Sequence, residues 1–247
     1  MGKRILVRRR GRGTSTFRAS TNKRIGPARY AVMTKEDIAS VIKGIVRRID
    51  HEPGRGTPLA LIELSNGRTY NSPIPEGVHQ GQEISVGPDA PNDIGNILTV
   101  GRIPEGTLIC NIELSPNDGG RLVRASGTYA TVTAHTPQGT MIKLPSGKTA
   151  AFNDACRATV GVVSGAGRVD KPFMKAGAKF HFARAKGRKW IHVAGVAMLS
   201  AYHPHGGGRH KHPGKPTTVA RGTPPGRKVG NIASRHAGSR KKIRETR

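Results

Sequence analysis

The chain of 247 residues carries 42 Lys and Arg against 15 Asp and Glu, a formal net charge of +27. A balance this basic repels itself unless a polyanion neutralises it, and nucleic acid is the commonest such polyanion. With 33 Gly, 17 Pro and only 4% aromatic residues, the composition favours small β modules over helical bundles, and the longest apolar stretch, Ile191 to Leu199, is far too short to span a membrane.

The charge is segregated along the chain. Met1 to Arg29 holds ten Lys/Arg and no acid, Tyr30 to Gly167 twelve against thirteen acids, and Arg168 to Arg247 twenty against two, giving net charges of +10, −1 and +18. The near-neutral middle can fold by itself, and the ends call for phosphate. If both ends lie outside the core, roughly 140 residues remain to bury apolar surface, which suits two small domains.

Met1 to Arg29 mixes Arg, Lys, Gly, Ser and Thr with no strand or helix period and reads as an extended basic arm. Its charge matches the start of a signal peptide, but no apolar h-region follows, so a soluble, unexported protein is expected. From Tyr30 the composition changes. Ile38, Val41, Ile42, Ile45 and Ile49 recur at helical spacing after a possible Thr34 cap, yet nearly all are β-branched: the period points to helix and the residue type to strand.

Leu59 to Leu64 and Arg68 to Ile74 flank Ser65-Asn66-Gly67, a hairpin signal in which Asn-Gly supplies the positive φ angles of a primed turn. Glu83 to Val86 is a further short strand. Ile97 to Val100, Leu108 to Ile112, Thr128 to Ala134, Thr140 to Leu144, Lys148 to Phe152 and Arg157 to Val163 are β-rich runs separated by Gly and Pro turns. Two small barrels in tandem are the economical reading. Lys171 to Trp190 then interleaves seven cations with Phe173, Phe180, Phe182 and Trp190, side chains able to stack bases or to form a small satellite core. From His203 onward there is scarcely an apolar side chain, so this segment cannot repay its own ordering entropy.

Candidate chemical motifs are few. Cys110 and Cys156 lack a CxxC spacing and read as buried, reduced thiols. Gly147-Lys148-Thr149 echoes a phosphate loop, but Ile142 stands where that motif needs glycine, so it reads as a hairpin turn. Four histidines lie between His203 and His212; imidazole can bind metal or act as a base, but no Asp or Glu occurs from Lys171 to Arg244 to orient one. An RNA-threaded loop is favoured there, with no metal, cofactor or small-molecule substrate expected.

Six motifs in order carry a family resemblance. They are Arg10 to Arg18 (Arg-Gly-Arg-Gly-Thr-Ser-Thr-Phe-Arg), Cys156 to Val163 (Cys-Arg-Ala-Thr-Val-Gly-Val-Val), Asp170-Lys171-Pro172-Phe173, Gly195-Val196-Ala197-Met198, His203-Pro204-His205-Gly206-Gly207-Gly208 and Pro224 to Gly230. Spanning essentially the whole chain, they resemble the family of the second protein of the large ribosomal subunit. Arg209 and Lys211 directly follow the triple glycine, where bacterial members usually continue with an acid, so the likeness is to archaeal and eukaryotic members.

The resemblance implies an all-β fold, an OB barrel followed by an SH3-like barrel with both termini extended into ribosomal RNA, and it resolves Ile38 to Ile49 in favour of strand. The expected division is a basic extension over 1–35, an OB-like domain over 36–88, an SH3-like domain over 89–170 and a basic extension over 171–247. It further implies a cytoplasmic, non-enzymatic constituent of the large subunit. Such a constituent binds large-subunit rRNA and other ribosomal proteins, supports association with the small subunit and helps organise the peptidyl-transferase region.

The leading RNA contacts are Arg8, Arg9, Arg10, Arg12 and Arg18 in the first arm. In the second they are Lys171, Lys175, Arg184, Lys186, Arg188, Lys189, His203, His205, Gly206, Gly207, Gly208, Arg209, Lys211, Lys215, Arg221, Arg227 and Lys228. Two alternatives stand beside this: chemical participation of His203 and His205 in peptide transfer, and a nucleic-acid packaging protein outside the ribosome.

Overall fold

Asn66-Gly67 reverses the chain between β2 (Leu59–Leu64) and β3 (Thr69–Pro73), which pair antiparallel from Leu59↔Pro73 to Glu63↔Thr69. The hairpin falls where expected, but its turn is of another kind. Gly67 takes the left-handed conformation (φ +78) while Asn66 does not, and the Gly67 and Leu64 N–H groups donate to Leu64 O and Arg68 O, each at 2.9 Å. This is the loop closed by a glycine bulge, which needs one positive φ and not two. The same pattern recurs between β8 (Gly139–Lys143) and β9 (Thr149–Phe152), where Gly147 has φ +81. Gly147-Lys148-Thr149 is thus a hairpin corner.

The computed structural model describes residues 4–34, 37 and 40–234. Thr34 and Asp37 make reciprocal bonds, Thr34 N–H to Asp37 Oδ2 at 2.9 Å and Asp37 N–H to Thr34 Oγ1 at 3.4 Å, the pattern of a helix-capping box. Those bonds, and Arg68 behind them, hold the Asp37 carboxyl below its usual range. Ile38 lies outside the described residues. From Ile42 the chain is a strand, β1 (Ile42–Asp50), whose alternation buries Ile42, Gly44 and Val46 and leaves Ile45 and Ile49 exposed. Period two therefore governs the apolar residues that the helical spacing picks out.

With β4 (Glu83–Val86), β5 (Ile97–Thr99), β6 (Leu108–Cys110), β7 (Ala130–Thr136) and β10 (Arg157–Val160), these strands form one sheet in the order β3-β2-β1-β4-β5-β10-β6-β7-β8-β9. All pairings are antiparallel except β4 with β5, joined at Val86↔Ile97. The fold is all-β, an OB-like half (β1–β4) followed by an SH3-like half (β5–β10). Each half has its own core: Val46, Ile62, Ile84 and Ile97 in the first, and Leu98, Ile109, Val132 and Ile142 in the second. Ile97 and Leu98 are neighbours on β5 and face opposite sides, so this single strand serves both cores. Cys110 and Cys156 are free and fully buried, and burial pushes their thiols up to about 12 and about 11.

Residues 20–34 belong to the same compact unit, Ser20–Met174. Tyr30 is 4% exposed and packs edge-on to Tyr70 of the first half, while its hydroxyl donates to Asn111 O at 2.7 Å and meets Thr159 Oγ1 at 2.5 Å in the second. Tyr30 has one proton, so Thr159 donates in return.

Two buried carboxylates complete the attachment. Glu52 is 0% exposed and paired with Arg55, whose other nitrogen reaches Gly26 O at 2.9 Å. Glu113, also 0% exposed, accepts from Arg157 Nη2 at 2.7 Å, and Arg157 Nη1 donates to Ala31 O at 3.0 Å. Each arginine answers one buried acid and one carbonyl of the incoming segment, which satisfies charges that would be costly if left single.

The second compact unit joins residues 4–19 to residues 175–234. It holds a one-turn helix, α1 (Leu6–Arg10), a longer helix, α2 (Ala176–Ala185), and a two-stranded parallel pair, β11 (Thr218–Val219) with β12 (Asn231–Ile232). The turn in the arm corrects the extended reading of residues 1–29, and α2 went unforeseen within Lys171 to Trp190. Ala176, Ala178, Ala183 and Ala185 were the available signal, since alanine is the strongest helix former. Chain ends meet at Gly187, where any Cβ would stand 2.8 Å from Phe17 O and 2.9 Å from Ala19 N. Among its described residues only Ile5, Ala183, Ala185 and Val229 are buried apolar side chains.

Candidate nucleic-acid interface

The charge segregation of the sequence becomes complete in three dimensions. The described residues of the second unit, 4–19 and 175–234, contain eighteen Lys and Arg and no Asp or Glu. Ser20–Met174 contains seventeen against fourteen acids, and all six recorded ion pairs fall within it, including Lys43–Glu83, Arg47–Glu63 and Arg68–Asp37. Cations on the barrels have acids to meet, whereas the described residues of the second unit supply none to their own. Fields from like charges sum over such a surface and draw in polyanions.

The helices place much of this charge. Arg8, Arg9 and Arg10 form the last turn of α1, and Arg12 and Arg18 follow it, all five exposed. Lys175 is the N-cap of α2, whose first turn has no acid to offset its amide dipoles, and Arg184 lies in its last turn. Arg188 and Lys189 are exposed just beyond. Lys186 is half-buried with its ammonium 4.6 Å from the Phe182 ring centre, and Lys179 sits 4.1 Å over Trp190. Phe173 and Phe180 are exposed. The Phe182 and Trp190 rings each carry a cation, and Phe180 meets the His181 ring edge-on. Lys171 differs from the other candidates in belonging to the barrel unit.

The histidine and glycine residues come together in one loop. His205 N–H donates to His203 Nδ1 at 3.1 Å and the two rings lie 5.2 Å apart. Gly206 N–H returns to His203 O at 2.9 Å and Gly207 N–H to Met198 O at 3.0 Å, closing His203–Gly207 onto the turn at Gly195–Ala197. A Cβ on Gly206 would collide with the carbonyls of Met198 and Leu199, and one on Gly195 would enter the His203 ring; Gly207 and Gly208 have φ +84 and +85. Glycine is required here by close approach and by conformation. Burial, and then the proximity of His205, lower the His203 pKa below 6.5. The two rings meet edge to face, and no carboxylate among the described residues of the unit supplies the orienting partner that general-base chemistry uses. Among the described residues no group of three or more His, Cys, Asp and Glu is placed to hold a metal.

Arg209, Lys211, Lys215, Arg221 and Arg227 are exposed and Lys228 is half-buried, strung along the chain after this loop. Sequence reasoning left out Arg4 and Lys179. Arg4 shares one opening with Arg9, Arg12 and Thr14, and shares a second with Arg9 and Lys189. Among the described residues no helix is long and apolar enough to cross a membrane.

Comparison with known proteins now bears on this surface. Residues 3–86 match the family described as Ribosomal Proteins L2, RNA binding N-terminal domain, and residues 93–227 match Ribosomal Proteins L2, C-terminal domain. The chain belongs to the ribosomal protein L2 family. It is 50% identical over 247 residues to the large ribosomal subunit protein uL2 of Korarchaeum cryptofilum, covering the whole of both chains. It is 49% identical to the uL2 protein of Methanothermobacter thermautotrophicus over 98% of this chain and all of that one, and 50% identical to that of Hyperthermus butylicus at the same coverage. These relatives are archaeal, in line with the basic residues after the triple glycine. Full-length similarity to large-subunit ribosomal proteins displaces the packaging protein outside the ribosome.

Proposed function

We propose that this chain is a scaffold for large-subunit rRNA, working in the cytoplasm within the large ribosomal subunit, with the barrels as platform and the cation-rich unit as the principal RNA contact. One observation carries the reading: the described residues of the second unit hold eighteen cations, no carboxylate side chain and four buried apolar side chains. Such a unit gains its order from a partner that supplies negative charge in quantity. Arg8, Arg9, Arg10, Arg12 and Arg18, with the basic residues from Lys171 to Lys228, act as counterions where RNA helices pack. Arginine forks match phosphate oxygens, and recognition is by shape and backbone more than by base edges. Of the expected extensions over 1–35 and 171–247, the described stretches 4–19 and 175–234 enter the RNA, while residues 20–34 stay with the domains over 36–88 and 89–170, where Tyr30 is buried.

Its role is structural. Other ribosomal proteins are neighbours, the small subunit is met at the subunit interface, and the His203–Gly208 loop helps to organise the peptidyl-transferase region. The test is ionic. Neutralising about 6–10 phosphates should cost roughly 10³–10⁵ in affinity for large-subunit RNA between 50 and 200 mM salt. Filter binding that stays flat across this range overturns the reading.

A further inference from the structure

A groove within the second unit joins two chemistries that one nucleotide can satisfy. Arg4, Arg9 and Lys189 line it together with Ile191, Val193, Met198 and Tyr202, around a cavity of about 330 Å³. That volume is typical of small-ligand sites. Ile191 is 67% exposed and Val193 59%, a costly display of aliphatic surface beside so many cations unless something flat and apolar covers it. What covers it must also suit three positive charges, with no carboxylate side chain among the described residues of the unit to balance them.

We propose that this groove receives a single unpaired nucleotide of the large-subunit RNA, its base laid against Tyr202 and Met198 and its phosphate held by Arg4, Arg9 and Lys189. The inference rests on the RNA-scaffold reading and adds to it a base-binding site on a surface otherwise assigned to phosphate contacts. An unstacked base offers a π-face to an aromatic ring whatever its identity, so the groove would select for single-strandedness and not for sequence. The Tyr202 N–H donates to Leu199 O at 2.9 Å, a backbone contact that side-chain replacement leaves in place.

Ultraviolet irradiation of intact large subunits, followed by mass spectrometric mapping of nucleotide adducts, tests the site with the full chain in its assembly. An adduct within residues 191–202 is expected. Adducts confined to Arg8–Arg12 and Arg209–Lys215, or a peptide of another protein cross-linked to residues 191–202, would overturn the groove and leave the scaffold reading standing. Adducts nowhere on the chain would remove the scaffold reading itself. In filter binding, Tyr202→Ala should weaken affinity for large-subunit RNA about tenfold at unchanged salt slope, Tyr202→Phe should restore it, and Lys189→Gln should lower the slope by about one. Equal affinity for the alanine, phenylalanine and parent proteins contradicts the site.

Discussion

Replacing Glu113 by alanine should destabilise the barrels more than removing its partner. The carboxylate is 0% exposed and accepts five bonds: Arg157 Nη2 at 2.7 Å and Nε at 3.2 Å, and the backbone N–H groups of Arg157 at 2.9 Å, Gly119 at 3.0 Å and Asn117 at 3.4 Å. Glu113→Ala leaves a guanidinium that is 7% exposed with only Ala31 O and the face of Tyr30, 5.2 Å from the ring centre, to compensate it. Breaking a buried pair in this way costs about 3–5 kcal/mol. For a unit of this size that is a fall in Tm of roughly 6–20 °C, at about 2–4 °C per kcal/mol.

Arg157→Met strands the carboxylate instead, but three backbone N–H donors remain on it. The cost should be smaller by at least about 1 kcal/mol, the worth of hydrogen bonds to a charged acceptor. Urea titration of the full chain, followed by far-ultraviolet circular dichroism, measures both variants. The reasoning fails if Glu113→Ala costs less than about 1 kcal/mol, or if Arg157→Met proves the more damaging.

The Asp37 carboxyl should titrate below its ordinary 3.8, by carbon-detected NMR, because Thr34 donates to it from backbone and side chain and Arg68 lies beside it. Since its folded pKa is depressed, the contribution of this cap is present above the unfolded value and lost as pH falls through the folded midpoint. Thr34→Ala should return the midpoint toward 3.8, and a midpoint at or above 3.8 in the parent chain contradicts the capping contacts. His203→Gln with His205→Gln, which keeps hydrogen-bonding capacity and removes titration, should leave peptide-bond formation by assembled particles within a few-fold of the parent. A fall of about 10² or more would favour chemistry over scaffolding.

The strands were legible because their signals are local. Gly67 and Gly147 fix the hairpins, and the β-branched runs between Gly and Pro turns fall on β4 to β9 within two residues, while the run from Arg157 to Val163 outlasts β10 by three. The nature of the Asn66-Gly67 turn was not, since one positive φ or two depends on how the flanking strands close. Ile45 and Ile49 misled by spacing; register with β2 and β4, set by distant residues, decides that they face outward. Tyr30 fell within the expected extension over 1–35, and only long-range partners at Tyr70, Asn111 and Thr159 show why it is buried. Charge segregation was fully readable, being additive along the chain. The groove beside Tyr202 was not, because residues 4–9 and 189–202 meet only in the folded unit.

Amide hydrogen exchange of the full chain, with and without large-subunit RNA, tests most directly the claim that phosphate orders the cation-rich unit. Residues 4–19 and 175–234 should exchange rapidly in the free chain while Ile97, Ile109 and Val132 in the barrel cores stay protected, and the former should become protected only when RNA is bound. Slow exchange throughout those two segments in the absence of RNA would contradict the account.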